Sequence, residues 1–148
     1  MPEAAQLTSA QQKELEEKLS KLSPEELQDY QKQQCIFCQI ISGKIPAHKV
    51  YEDKTALAIL DIYPARLGHV LVVPKEHYGV LPQVPAQEIA HLFTLAKQVS
   101  HAQLRGLRVE GTSIFVANGV VAGQKSAHFV VHVIPRVTGD ELLEILPK

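Results

Sequence analysis

Residues 118–136 read NGVVAGQKSAHFVVHVIPR, and two histidines interrupt the apolar run in this stretch. The Val, Ile and Phe content of the run, together with the closing proline, favours a β-strand over a helix. Because alternate side chains of a strand share a face, His128, Val130 and His132 are predicted to point the same way. On such a strand the two imidazoles are about 13 Å apart, too far to hold one metal ion.

The glycine-bearing turn before this strand has two interpretations. Gly119 and Gly123 allow the backbone to approach a ligand closely, and bare N–H groups in such a turn suit an anion, phosphate above all. An ordinary hairpin turn, followed by a buried strand with two hydrogen-bonded histidines, accounts for the same spacing. The residues alone leave both interpretations open.

Length and composition set the broad class. A chain of 148 residues with net charge −1 suits one compact domain and offers no broad basic surface for nucleic acid. No apolar run is long enough to cross a membrane, and the N-terminus lacks a signal-peptide core. Cys35 and Cys38 are the only cysteines, which predicts a reducing compartment, the cytoplasm, and no disulfide scaffold.

The first part of the chain, residues 1–34, is rich in acidic residues and lacks glycine. Thr8 with Gln11, and Ser23 with Glu26, have the spacing of two capping boxes, so two short acidic helices are predicted. These helices form either a solvated extension or a surface for a partner protein.

The remainder, residues 35–148, is predicted to be one domain. Its apolar patterns predict a hairpin over 50–61, strands over 68–74 and 111–118, a helix over 85–104 closed by Gly106, and the final strand. This order indicates an α+β fold with a mainly antiparallel five-stranded sheet and one main helix. The predicted core stripe of the helix is Ile89, Leu92, Phe93, Ala96 and Val99. The apolar residues of the tail, Leu142, Leu143, Ile145 and Leu146, are expected to pack on a neighbouring subunit.

The C-x-x-C segment from Cys35 to Cys38 is compatible with a metal knuckle, a redox pair or two buried thiols. A redox pair prefers to open a helix that follows a strand, whereas here a helix precedes the segment. Zinc would need two further ligands, for which histidines are suitable.

The stretch resembles the signature of the histidine triad (HIT) family, A-G-Q-x-x-x-H-x-H-x-H-x-I-P-R. Matching positions are Ala122-Gly123-Gln124, His128, His132 and Ile134-Pro135-Arg136, while Val130 occupies the position of the middle histidine. The resemblance extends over residues 35–138, including Cys-Ile-Phe-Cys, the segment 60–64 and the segment 68–77.

The resemblance implies a homodimer, with the sheets of its subunits joined, that binds a purine nucleotide beside the signature strand. Asp61 would accept the ribose hydroxyls, and Phe37 and Ile59 would flank the base. The residues implied to line the phosphate are Asn118, Gly123, Gln124, Lys125 and His132. The resemblance also implies a structural zinc ion held by Cys35, Cys38, His77 and His128.

In the family, the middle histidine attacks the α-phosphate and becomes nucleotidylated. Val130 has no nucleophilic nitrogen, and His132 lies about 6.6 Å further along a strand, beyond near-attack distance. We therefore expect a nucleotide-binding protein with weak or absent covalent hydrolase activity.

Two alternatives remain. One is an active nucleotide phosphoramidate or dinucleotide hydrolase, or a nucleotidyl transferase, with an altered mechanism in which His132 is a general base for water. The other is a non-enzymatic interaction protein that acts through residues 1–34. The remaining histidines, His48, His69, His91 and His101, are expected to be structural or on the surface.

Overall fold

The computed structural model describes residues 8–140. The predicted packing of the apolar tail on another subunit concerns residues beyond 140 and lies outside the described part. The chain forms two compact units, one ending at Gln34 and the other beginning at Cys35. Among the described residues, no helix combines the length and the apolar character needed to cross a membrane.

The first unit consists of α1 (Ser9–Ser20) and α2 (Pro24–Gln34). Thr8 and Gln11 form the predicted capping box, in which the Thr8 N–H donates to Gln11 Oε1 at 2.9 Å. At the second helix, the Ser23 N–H donates to the Glu26 carboxylate at 2.8 Å. Both capping predictions are confirmed, and neither helix contains a fully buried residue.

The second unit has an α+β fold, as predicted. Its elements are α3 (Ile36–Ile41), β1 (Lys49–Glu52), β2 (Ala56–Leu60), β3 (Val70–Pro74), α4 (Ala86–Gly106), β4 (Gly111–Phe115) and β5 (Val131–Arg136). The five strands form one sheet in the order β1-β2-β3-β5-β4, and every neighbouring pair is antiparallel. The central position of β3, which is covered on both faces, explains its continuous apolar sequence.

Each face of the sheet packs on a different apolar cluster. The first cluster joins α4 to alternate strand residues and contains Ala56, Ala58, Val70, Val72, Leu92, Leu95, Val131 and Val133. The second joins α3 to the intervening strand residues and contains Phe37, Ile40, Leu57, Ile59, Leu71, Val73 and Val130. Strand alternation therefore assigns the signature residues to the α3 face.

Several features differ from the prediction, among them the end of β4, which lies at Phe115 and not at 118. The final strand begins at Val131, because the backbone N–H of Phe129 donates to the Tyr78 carbonyl at 2.6 Å and not to the sheet. His128 and Val130 therefore precede the strand. Even so, they lie on the α3 face with His132, whose register partner is Leu71.

The other differences concern helices. The C-x-x-C segment opens α3, a helix that was not expected from the sequence. In α4, Phe93 is 42% exposed and Leu95 takes its place in the core. The same helix continues through Gly106, and its C-cap is Leu107.

Candidate functional site

The first side-chain cluster combines two thiols with two imidazoles. Cys35 is the N-cap of α3 and Cys38 lies in its first turn, while His77 follows β3 and His128 precedes β5. Cys35 Sγ lies 3.4 Å from His128 Nδ1, and Cys38 Sγ lies 3.2 Å from His77 Nδ1 and 3.7 Å from His128 Nδ1. One ligand atom from each of the four residues lies within 4.8 Å of all the others.

These distances fit a tetrahedral zinc site. Zn–S bonds of about 2.3 Å and Zn–N bonds of about 2.0–2.1 Å put neighbouring ligand atoms about 3.3–3.8 Å apart. The Nε2 of His128 donates to the Pro74 carbonyl at 2.8 Å, which leaves Nδ1 as the unprotonated nitrogen beside the thiols. Burial lowers the pKa of His128 to about 4, so its imidazole is neutral at pH 7. The donor set and its tautomer both suit a closed zinc site.

The second cluster contains Asp61, His69 and His132, whose potential ligand atoms also lie within 4.8 Å of one another. His69 Nε2 is 3.0 Å from His132 Nδ1, and His69 Nδ1 is 3.4 Å from Asp61 Oδ2. Asp61 is held in place because its Oδ1 accepts the Tyr63 N–H at 2.9 Å. The three side chains therefore form a carboxylate–imidazole–imidazole chain.

The orientation of His132 is fixed by its neighbours in the sheet. Phe115 is its register partner on β4, and the two rings stack with centroids 4.5 Å apart at an interplanar angle of 14°. Stacking on one side and the hydrogen bond to His69 on the other restrict the imidazole to one position.

The environment keeps both imidazoles of this chain neutral. Burial lowers the pKa of His132 to about 4; repulsion from His69, when that ring is protonated, and from Lys125 reinforces the effect, and Asp61 opposes it. Burial also lowers the pKa of His69, and the Asp61 carboxylate offsets part of that effect. At pH 7 each ring therefore has one nitrogen that can accept a proton.

His69 is the site residue that sequence reasoning missed. It was expected to be structural or on the surface; it is buried, 4% exposed, and its contact with His132 was not predicted. A signal was present, since His69 lies within the 68–77 segment that carried the family resemblance. Gly68 before it has φ +90°, and a Cβ there would overlap the Leu107 side chain, so the position requires glycine.

The glycine turn differs from the predicted anion cradle. The N–H groups of Ala122 and Gln124 donate to the Gly119 carbonyl, and the Gly123 N–H donates to the Val120 carbonyl. The Gly119 N–H donates to Gln124 Oε1 at 2.7 Å. These backbone donors are satisfied within the turn, which favours the interpretation as an ordinary hairpin turn at these positions.

The predicted phosphate-lining residues have distinct environments. The Gln124 amide nitrogen donates to the carbonyls of Gly79 and Ser126 at 2.6 and 2.8 Å, so this side chain braces the turn. Asn118 is exposed, and its Oδ1 accepts the Leu81 N–H at 2.8 Å. Lys125 is exposed, and its charge contributes to the lowered pKa of His132.

The residues predicted to flank a base are less accessible than the chain around His132. Phe37 and Ile59 are 8% and 3% exposed and belong to the α3-face cluster. Val130 lies in the same cluster and is 9% exposed. The structure thus brings Asp61 and His132 together, and keeps an apolar side chain at the position of the middle histidine.

Comparison with known proteins gives consistent matches. A profile of the HIT domain matches residues 42–139. An uncharacterised HIT-like protein of Methanocaldococcus jannaschii is 46% identical over 72% of this chain and 81% of its own length. The adenosine 5'-monophosphoramidase of Schizosaccharomyces pombe is 37% identical over 69% of this chain and 74% of its own.

A solved structure matches as well. It is that of a zinc-bound histidine triad family protein from Mycobacterium smegmatis, which is 38% identical with a TM-score of 0.71. The match covers 75% of this chain and 81% of that protein.

Proposed function

Because the chain belongs to the HIT-domain family, we propose that it binds a purine nucleoside phosphate and has weak or absent covalent hydrolase activity. The expectation of weak or absent covalent activity rests on the presence of Val130. A covalent nucleotidyl intermediate needs a nucleophilic nitrogen at the family's middle-histidine position, and here that position holds an isopropyl group in an apolar cluster.

Nucleotide binding is supported by the groups that remain. In this proposal, Asp61 accepts the ribose hydroxyls, because an ionised carboxylate is an acceptor only. Asn118, Gly123, Gln124, Lys125 and His132 line the phosphate, and Phe37 and Ile59 flank the base. The adenosine 5'-monophosphoramidase relative supports an adenosine nucleotide as the first ligand to test.

Zinc is proposed as a structural ion at Cys35, Cys38, His77 and His128. The spacing of the ligand atoms, the tautomer of His128 and the zinc-bound relative support this assignment. A site with four protein ligands leaves no position for water, so the ion would stabilise the fold and take no part in hydrolysis.

We propose that the protein is a cytoplasmic homodimer. The free edge of β4 supports the dimer, since β5 is its one strand neighbour within residues 8–140 and its Ile114 is 41% exposed. An unpaired edge of this kind is suited to joining a second sheet. The pair of unbridged cysteines supports a reducing compartment.

Calorimetric titration with AMP and ADP tests the binding proposal. We expect binding by the wild type and weaker binding by Asp61→Asn, because the amide removes the charge from the ribose acceptor. Asp29→Asn, a matched change at an exposed position of α2, should bind like the wild type. Absence of heat and of chemical-shift change at millimolar nucleotide would rule out the binding proposal.

A second candidate function is an active hydrolase that does not use a covalent intermediate. The Asp61–His69–His132 chain is the specific observation in its favour, because such an arrangement suits general acid–base catalysis.

A further inference from the structure

We propose that Asp61, His69 and His132 form a proton relay that activates water for direct attack on a bound nucleoside phosphoramidate, with His69 as its positioning residue. The proposal rests on the proposed nucleotide binding and adds a reaction with one displacement step. His69 is neither a ligand of the zinc cluster nor part of the signature strand, and the proposal assigns it a role.

The contacts of His69 allow two complementary hydrogen-bond arrangements. In one, His69 Nδ1–H donates to Asp61 Oδ2 and His69 Nε2 accepts from His132 Nδ1–H, which leaves His132 Nε2 as a base. In the other, His69 Nδ1 accepts the Ala65 N–H at 3.3 Å and Nε2–H donates to His132 Nδ1. The second arrangement makes His132 Nε2–H a donor.

A reaction with a single displacement step requires a group, here His132 Nε2, that first accepts a proton and then donates it. The water oxygen forms a bond to the α-phosphorus while the bond from phosphorus to the leaving nitrogen breaks. His132 Nε2 takes a proton from the water and then gives it to the leaving amine. The Asp61 carboxylate stabilises the transient positive charge through His69, in the way a carboxylate supports the histidine of a hydrolytic triad.

The surroundings of His132 support a neutral base at pH 7. The titratable groups that shift its pKa are His69 and Asp61, from the segment before β3, and Lys125, from the turn before β5. On its remaining side lies the ring of Phe115, which does not titrate. Below pH 5 the imidazole approaches its lowered pKa and begins to lose its function as a base.

Stereochemistry at phosphorus distinguishes this reaction from covalent catalysis. A single diastereomer of an adenosine 5'-thiophosphoramidate is hydrolysed in ¹⁸O-water, and the configuration of the product is determined. One displacement gives inversion, whereas two displacements through a nucleotidyl-histidine give retention. We expect inversion for the wild type, and retention would overturn the proposal.

Variants test the individual roles. His132→Gln should lower kcat by at least about 10²-fold, the lower end for a general acid–base group. His69→Gln still donates a hydrogen bond to His132 but cannot relay a proton, and should lower kcat about tenfold, the equivalent of about 1.4 kcal/mol. His101→Gln, at an exposed position of α4, is the matched control and should be unchanged.

The pH profile separates a relay from a merely structural role of His69. At acid pH, positive charge on His69 opposes protonation of His132, so without His69 the acid limb of kcat should move to higher pH. Between pH 5 and 8, kcat of the wild type should be nearly flat, whereas that of His69→Gln should fall towards pH 5. Melting temperature and AMP affinity, measured at each pH, verify that the variant is folded.

The outcomes are distinguishable from failure of the proposed function. If the wild type does not bind AMP, the binding proposal fails. If it binds AMP but hydrolyses the phosphoramidate no faster than His132→Gln, or if His69→Gln matches the wild type in rate and pH profile, the relay is refuted. Two zinc ions per chain, with the second lost in His69→Gln, would instead identify the cluster as a metal site.

Discussion

Replacing Val130 by histidine should restore the nucleophile at the cost of stability. Val130 is 9% exposed among Leu57, Ile59, Leu71 and Val73. Losing its burial costs about 1.5–2 kcal/mol, and an imidazole there without a full set of partners costs about 1–3 kcal/mol more. The sum, about 2.5–5 kcal/mol, corresponds to a fall in melting temperature of roughly 10 °C or more and leaves most domains of typical stability folded.

The assay is mass spectrometry of the intact protein after mixing with adenosine 5'-phosphoramidate and denaturing at neutral to alkaline pH, where a phosphorus–nitrogen bond to histidine survives. Val130→His should accumulate an adenylylated form that the wild type does not, and should hydrolyse the thiophosphoramidate with retention. Val130→Asn controls for the polarity and the destabilisation, because it has no nucleophilic nitrogen.

The reasoning would be refuted by a folded, nucleotide-binding Val130→His protein that forms no adduct and retains the kinetics of the wild type. In that case position 130 would not face the α-phosphate in this chain. Adenylylation of the wild-type protein would also refute the reasoning, since a different residue would then act as nucleophile.

Three further predictions concern the fold. Cys35→Ser should reduce zinc from about one ion per chain, measured by elemental analysis, and lower the melting temperature by more than about 10 °C, because binding energy at a structural site is folding energy. If chelator leaves the melting temperature of the wild type unchanged, the zinc site is refuted, and the C-x-x-C segment is better described as two buried thiols. Burial raises the pKa of Asp53, but the N–H groups of the following turn and His91 outweigh it and lower the pKa to about 2. Asp53 therefore stabilises the fold above its ordinary pKa of 3.8, and this stabilisation is lost as the pH falls towards 2. Asp53→Asn keeps an acceptor for the N–H groups of the turn and should lower stability by only about 0.5 kcal/mol at pH 7, and the difference in urea denaturation should shrink below pH 4. Gln103→Met removes two hydrogen bonds to backbone carbonyls, one buried and one partly buried, and should cost about 1–2 kcal/mol in the same assay, so equal stability would show that these bonds contribute nothing net.

Much of the fold was predictable because its signals are local. Capping boxes, alternating apolar residues and the period of α4 act over a few neighbouring positions, and they identified both N-terminal helices and all five strands. The start of β5 was mispredicted because it depends on a backbone hydrogen bond to Tyr78, fifty-one residues earlier, which no local pattern records.

The candidate site was likewise predictable only in part. The convergence of Asp61 with His132 followed from the family resemblance, whereas the contact of His69 with His132 was not predicted. A histidine just before an apolar strand carries no sign of which neighbour its ring will meet. Only the antiparallel pairing of β3 with β5, with Leu71 opposite His132, places that ring beside the second imidazole.

The contacts of Gln103 hold together the backbone beside the two site histidines, so insertions should be tolerated at some positions near the site and not at others. Its amide nitrogen donates to the carbonyls of Gly68, next to His69, and Val133, next to His132, at 2.9 and 3.0 Å. One extra residue between Val131 and His132, inside β5, would exchange the faces of the strand residues that follow it, since side chains alternate, and would turn His132 into the apolar layer under α4. An extra residue in the exposed turn Val120–Ala122 would leave that register intact. Length variation among relatives is therefore expected in the turn and selected against a few residues later.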